Sequence, residues 1–116
     1  MIDQIKEFEQ TYPIIAEEFK KLQSEQYELF AKKMLSYGLS NIGVGTENVS
    51  SNEQKYLSLA GCWYRMNDKI QRLKQLVLLN KANPLENEPI EDAYSDLSVY
   101  GIICLIIKKG FWRKHY

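Results

Sequence analysis

The chain lacks most of the sequence features that define common enzyme classes. Its 116 residues include one histidine and two cysteines, and they contain no Walker-type phosphate loop, no G-x-G-x-x-G motif and no set of zinc ligands. The histidine, His115, stands next to the last position, and neither cysteine has a histidine nearby in the sequence. These absences argue against catalysis by a Ser, Cys or His nucleophile.

Long hydrophobic runs are missing as well. The longest, Val99 to Ile107, falls well short of the roughly 20 residues that a bilayer span requires, so we expect no membrane partner. The first residues show neither the basic nor the apolar segment of a secretion signal. Cys62 and Cys104 lie in apolar helical patterns without C-x-x-C spacing, which predicts buried free thiols. Together these features favour a cytoplasmic location.

Charge of one sign is not in excess, because 15 Lys and Arg residues balance 15 Asp and Glu residues. A neutral chain has no global field that would attract a polyanion, so nucleic acid is not an expected partner. The basic cluster at residues 108–115 is the one local exception. We interpret it as the solvated end of a helix, whose cations complement the helix dipole.

Helical periodicity dominates what the sequence does contain. Apolar residues recur every three or four positions in three segments, and no alternation typical of a β-strand appears. The stretch between the first two segments is rich in Gly, Ser and Asn and predicts a long loop. We therefore predict one all-α domain over residues 1–116, with an N-terminal arm at 1–12 and main helices at 13–37, 52–80 and 88–109.

The third predicted helix is apolar on nearly every side. A small bundle of three helices cannot cover such a helix completely, so we expect its apolar faces to be completed by homo-oligomerisation, as a dimer or a higher assembly.

The start of this third helix carries a concentration of negative charge. Asp92 and Asp96 stand one helical turn apart, so their carboxylates share a face and repel each other. Because Asp96 lies among apolar neighbours, its charge needs a positive partner. That partner is either a divalent cation or a Lys or Arg from another helix.

The second predicted helix supplies candidates of both kinds. Antiparallel packing would place its charged face opposite the acidic start of the third helix. In one alternative, Lys69 and Arg72 neutralise Asp92 and Asp96 in a structural network. In the other, carboxylates hold one or more magnesium ions while the cations bind phosphates. The residues concerned are Arg65, Asp68, Lys69 and Arg72 on the second helix and Glu91, Asp92 and Asp96 on the third, and the candidate metal ligands are Asp68, Glu91, Asp92 and Asp96.

A series of short motifs in fixed order resembles a known family. The motifs are Lys32-Lys33, Tyr37-Gly38, Asn41-Ile42-Gly43, Leu59-Ala60-Gly61, Arg65, Asp68-Lys69, Arg72-Leu73, Asn87-Glu88, Ile90-Glu91-Asp92, Asp96-Leu97, Tyr100-Gly101-Ile102-Ile103, Gly110 and Trp112. In this order, over about residues 25–113, they resemble the small phage and bacterial proteins called nucleotide modification associated domains. That family is in turn similar to the all-α nucleoside triphosphate pyrophosphohydrolases, the MazG-like and dimeric dUTPase-like enzymes.

The resemblance implies magnesium-dependent hydrolysis of a nucleoside or deoxynucleoside triphosphate to monophosphate and pyrophosphate, with water as the nucleophile. It implies that Asp68, Asp92 and Asp96 are the catalytic, metal-binding residues. Phosphates would contact Lys32, Lys69 and Arg72, with Arg65 on the same face, and the sugar or base would contact Tyr37, Asn41 and Tyr100.

The match departs from the MazG-like pattern at two points. Those enzymes carry E-x-x-E on their first metal helix, whereas Asp68 has no second carboxylate one turn on. Their second motif is E-x-x-D, whereas Ala93 stands three residues before Asp96. Two alternatives therefore accompany the hydrolase hypothesis: a nucleotide-binding module without turnover, and a structural or interaction protein with an ion-pair network in place of the metal.

Overall fold

The computed structural model describes residues 2–116, which contain helices and no β-strand. The predicted all-α class is confirmed. In this range no helix has both the length and the apolar character needed to cross a membrane. The helices are α1 at Ile2–Thr11, α2 at Pro13–Tyr37, α3 at Ser40–Gly43, α4 at Asn52–Leu73, continued by a π-helical turn at Lys74–Leu78, and α5 at Ile90–Lys108.

The chain divides into two compact units, residues 1–33 and residues 34–116, with the division inside α2. Most of the buried side chains lie in the second unit. Residues 2–116 contain five α-helices where three main helices were predicted, because α1 and α3 are present besides α2, α4 and α5. Whether the whole chain is one domain stays a prediction.

The N-terminal segment is more regular than the predicted arm, because residues 2–11 form a complete helix. Phe8 and Tyr12 are one turn apart and their rings contact each other, with centroids 6.0 Å apart. Pro13 has no N–H to donate and restricts the residue before it, so the helix is interrupted at Tyr12 and α2 starts afresh. The proline thus separates two helices.

The boundaries of α4 follow from local chemistry at one end only. Ser51 caps its N-terminus: the Ser51 hydroxyl accepts a hydrogen bond from the Gln54 N–H, and the Gln54 side chain accepts one from the Ser51 N–H. At the other end the predicted helix to residue 80 gives way to the π-helical turn, in which the Leu79 N–H donates to the Lys74 carbonyl. The chain then turns at Asn80, which has a positive φ of 51°.

The second unit is built on antiparallel packing of α4 against α5. Lys55, early in α4, lies near Gly110, just after α5, and Lys69, late in α4, pairs with Asp96, early in α5. From the first pair to the second, the chain advances along α4 by as many residues as it goes back from Gly110 to Asp96. The two antiparallel segments therefore keep one continuous register. Buried side chains from both helices line this contact, among them Ser58, Cys62, Ala93, Ile103 and Ile107.

Trp112 fixes the segment after α5 to the loop before α4. Its side chain is buried, its indole N–H donates to the Leu39 carbonyl at 3.0 Å, and its own carbonyl accepts from the Val49 N–H. The predicted long loop between the first two main helices is therefore ordered from both sides, with α3 inside it.

Candidate functional site

Three cationic residues of α4 lie along its contact with α5. Arg65, Lys69 and Arg72 follow one another at four- and three-residue spacing, so they share the face of α4 that packs on α5. All three are partly buried. We call these three residues together with Asp96 the cationic seam.

The central contact of the cationic seam is an ion pair. The Lys69 ammonium nitrogen lies 3.2 Å from an Asp96 carboxylate oxygen, and the two side chains are 35% and 27% exposed. A pair with this much access to water contributes roughly 0–1 kcal/mol. The positive partner that Asp96 requires is thus supplied by Lys69 from the neighbouring helix, as in the ion-pair alternative.

Arg72 holds the loop before α5 and does not pair with Asp92. Its guanidinium donates to the Glu88 carbonyl and, at 3.3 Å, to the Asn83 side-chain oxygen, and it lies 3.8 Å from the Glu88 carboxylate. Asn83 also donates to the Glu88 carbonyl at 3.0 Å. Sequence reasoning missed Asn83 and Glu88. The Asn83-Pro84 pair was the available signal, since an Asn before Pro favours a side-chain-bonded turn.

Arg65 connects the cationic seam to the loop that contains α3. Its guanidinium donates to the Asn41 carbonyl at 3.2 Å. The predicted substrate residue Asn41 is therefore brought to the seam, and its backbone oxygen makes the contact. By the register of the two helices, Tyr100 on α5 stands opposite Arg65, and it is partly buried there.

The predicted carboxylate ligands are not brought together. Asp68, Glu91 and Asp92 are exposed, whereas Asp96 is partly buried and paired with Lys69. Within residues 2–116 no group of three His, Cys, Asp or Glu side chains is arranged to hold a metal ion. The magnesium site that the family resemblance implies therefore stays a prediction.

Two further predicted substrate residues lie on α2. Lys32 is exposed and forms an ion pair with Glu28, one turn earlier, at 3.3 Å. Tyr37, the last residue of the helix, is 65% exposed. An exposed i, i+4 pair contributes only a few tenths of a kcal/mol, so it leaves the Lys32 ammonium available to an anion.

The two cysteines are free, and their thiols face each other across the helix contact, where Cys62 is 2% exposed. Burial, then the charge and hydrogen bond of Cys104, raise the pKa of the Cys62 thiol to about 12. Its thiol is therefore a packing group at neutral pH and not a nucleophile. Both thiols are free as predicted, but only Cys62 is buried, and Cys104 is partly buried. The helix register brings Cys104 next to Cys62.

The basic C-terminal cluster folds back on aromatic rings. The Arg113 guanidinium carbon lies 5.6 Å from the centre of the Phe111 ring and 6.0 Å from that of Tyr116, within the range of cation–π attraction. These residues, with Lys114 and His115, line a shallow cavity of about 150 Å³. The cluster remains exposed, as expected of a helix end, and it contributes nothing to the cationic seam.

The chain matches no protein-family model, no curated protein and no solved structure in the three comparisons made. Its resemblance to the nucleotide modification associated domains therefore rests on the quoted motifs alone.

Proposed function

We propose that this protein binds a nucleotide at the cationic seam without hydrolysing it. The observation that carries the proposal is the set of contacts that the three α4 cations make. Each already contacts an oxygen acceptor: the Asn41 carbonyl for Arg65, the Asp96 carboxylate for Lys69, and the Glu88 carbonyl for Arg72. Phosphate oxygens offer the same type of charge-assisted contact and could replace these partners.

The exchange is energetically feasible because the contacts are accessible to water. Opening the Lys69–Asp96 pair costs roughly 0–1 kcal/mol, whereas a polyphosphate brings several negative charges to three neighbouring cations. Tyr100 and the loop residue Asn41 flank the seam and are the proposed contacts of the sugar or base. The family resemblance supports a nucleotide as the source of the phosphates.

The donor set supports binding without hydrolysis. Magnesium in phosphate-processing sites is held by one or two carboxylates together with the substrate phosphates. Here the one carboxylate within the seam, Asp96, is engaged by Lys69, and Asp68 and Asp92 are exposed. We therefore assign no metal-dependent step to these residues.

Magnesium-dependent pyrophosphohydrolysis is the second candidate function. It is favoured by Asp92, which is one turn from Asp96 on α5, is exposed, and has no ion-pair partner among the described residues. This function requires the Lys69–Asp96 pair to open.

The first experiment measures the thermal midpoint of the protein with a panel of nucleoside and deoxynucleoside triphosphates. A ligand that binds only the folded state stabilises it by about 2.7 kcal/mol when present at 100 times its Kd. We expect at least one nucleotide to raise the midpoint of the wild type. Lys69→Met should weaken that nucleotide about tenfold or more, whereas Lys81→Met, a change in an exposed loop lysine, should leave it unchanged.

Asp96→Asn separates the two candidate functions. If the seam only binds nucleotide, removing the Asp96 charge frees Lys69, so affinity should rise and no pyrophosphate should appear with or without magnesium. If the protein is a hydrolase, the wild type should release pyrophosphate with magnesium and Asp96→Asn should abolish the release. A panel without any thermal shift contradicts both candidates and leaves a structural or interaction protein.

Assembly into a homo-oligomer is part of the proposal. Large apolar side chains are exposed on α2, α4 and α5, including Ile14, Phe19, Trp63 and Ile102. The number of large apolar side chains left exposed supports self-association.

A further inference from the structure

Helix α4 carries a second stripe of residues on the side facing away from α5. The stripe repeats at alternating spacings of three and four residues, the pattern by which one helix packs lengthwise on another. Its large apolar members are exposed, Tyr56 by 71%, Trp63 by 58% and Ile70 by 51%, whereas Ala60 and Asn67 are partly buried. We call this set the outer stripe, and it consists of Glu53, Tyr56, Ala60, Trp63, Asn67, Ile70 and Lys74.

The ends of the outer stripe carry opposite charges. Glu53 stands at its N-terminal end and Lys74 at its C-terminal end, and both are exposed. If two copies of the stripe packed in parallel, Glu53 would meet Glu53 and Lys74 would meet Lys74. Antiparallel packing instead places each Glu53 beside the Lys74 of the other copy, so charge complementarity selects the antiparallel arrangement and a second copy of this chain as its occupant.

In the same register Ala60 and Asn67 form an interior pair of the outer stripe, whereas Tyr56 and Ile70 stand opposite Gln71 and Leu57 on its border. With Glu53 opposite Lys74, the symmetry axis passes between Trp63 and Tyr64, and Ala60 stands opposite Asn67. The small Ala60 side chain makes room for the larger amide, and the large aromatic residues meet at the centre. A two-fold axis of this kind is the usual symmetry of a protein dimer.

From this complementarity we infer that the outer stripe forms an antiparallel dimer contact between two copies of the chain. The inference rests on the proposed self-association and names its surface and register. It is independent of nucleotide binding, because the cationic seam lies on the opposite face of α4.

Charge reversal tests the register. Glu53→Lys and Lys74→Glu should each weaken the dimer about tenfold, because each turns both attractive end contacts into repulsions. The double variant should dimerise as well as the wild type, and so should an equimolar mixture of the two single variants, since every end contact is then again between opposite charges. The measurement is the mass of the full chain by sedimentation over a range of concentrations.

The double variant also serves as the control for helix stability. Each single change places a charge at an end of α4 that is unfavourable for the helix dipole, and the double variant contains both unfavourable charges. Recovery of dimerisation in the double variant would therefore assign the loss to pairing between copies. Helical content by circular dichroism should be similar in all the variants.

Trp63→Ala tests the centre of the contact. We expect it to weaken the dimer 100-fold or more, because central aromatic residues dominate interfaces of this kind. Tyr116→Ala, which removes a fully exposed aromatic residue outside α4, should have no effect.

Each negative result has its own meaning. A wild-type chain that stays monomeric at about 100 µM, well above the Kd of a stable dimer, would overturn both the self-association and the outer-stripe inference. A dimer that is insensitive to Trp63→Ala and to both charge reversals would leave the self-association standing and overturn the outer stripe. A dimer that is weakened by Trp63→Ala and not by the charge reversals would overturn the antiparallel register.

Discussion

At the residue scale, burial of Cys62 in the helix contact makes the stability of the fold depend on pH. Its thiol has a pKa raised from 9.0 to about 12 in the folded chain, first by burial and then by Cys104. In the unfolded chain the thiol loses its proton near pH 9.0, whereas in the folded chain it stays protonated. The stability that depends on this thiol is therefore fully present below pH 9 and is lost as the pH rises from about 9 towards 12.

We predict that the free energy of unfolding decreases less steeply with rising pH in Cys62→Ala than in the wild type. A single thiol contributes up to about 1.4 kcal/mol per pH unit to the decrease in unfolding free energy. Urea unfolding at several pH values between 8 and about 10.5 measures the difference in slope between wild type and variant. Equal slopes in the two proteins would contradict the assignment to Cys62.

At the element scale, the end of α5 shows how a single residue type fixes a boundary. Gly110 has a φ of +80°, its N–H donates to the Ile107 carbonyl, and the Phe111 N–H donates to the Ile106 carbonyl. This is the Schellman arrangement, in which a left-handed residue ends the helix. The helix end directs Trp112 into its buried site, so the cap also positions the anchor of the long loop.

We predict that Gly110→Ala destabilises the fold by about 1–2 kcal/mol, because an L-residue is strained at this φ. A Cβ there would meet only the Lys55 ammonium nitrogen, at 3.7 Å, so steric overlap adds little. Gly101→Ala is the matched control: Gly101 lies inside α5 with open space around it, and the change should be neutral or stabilising by up to about 1 kcal/mol. Equal effects of the two changes on urea unfolding would refute the argument from backbone conformation.

The elements also show how far the sequence could predict the fold. Local residue types predict three helix boundaries: a cap at Ser51, a start at Pro13 and an end at Gly110. The structure has helix boundaries at these residues or within two residues of them. The π-helical turn has no such signal, because Lys74 to Leu78 are ordinary helix-forming residues. Its position depends on how the chain after α4 turns back, with Arg72 bound to Asn83 and Glu88.

At the scale of the whole molecule, exposed apolar side chains connect stability to assembly. The exposed apolar side chains of α2 and of the outer stripe of α4 become buried only when another surface covers them. Under the proposed self-association, folding is coupled to association, and apparent stability then depends on protein concentration.

We predict that the thermal midpoint rises by about 2–4 °C for each tenfold increase in protein concentration, since association adds about 0.7 kcal/mol per chain in a dimer. Calorimetry of the wild type from about 2 to 200 µM measures this shift. For Glu53→Lys, we expect the rise in the thermal midpoint to occur at higher protein concentrations, because its dimer is weaker. A midpoint that is independent of concentration would show that the apolar surface is tolerated in a monomer.

The sequence by itself determined the helical class, most helix boundaries and the need of Asp96 for a positive partner, because periodicity, caps and like-charge repulsion act between residues close together in the chain. Only the tertiary structure decided which partner that is. The distance from Lys69 to Asp96 depends on the register of α4 against α5, which is set by packing of side chains far apart in sequence, among them Cys62, Ile103 and Ile107. The same packing leaves Asp68 and Asp92 in solvent and places Asp96 beside Lys69.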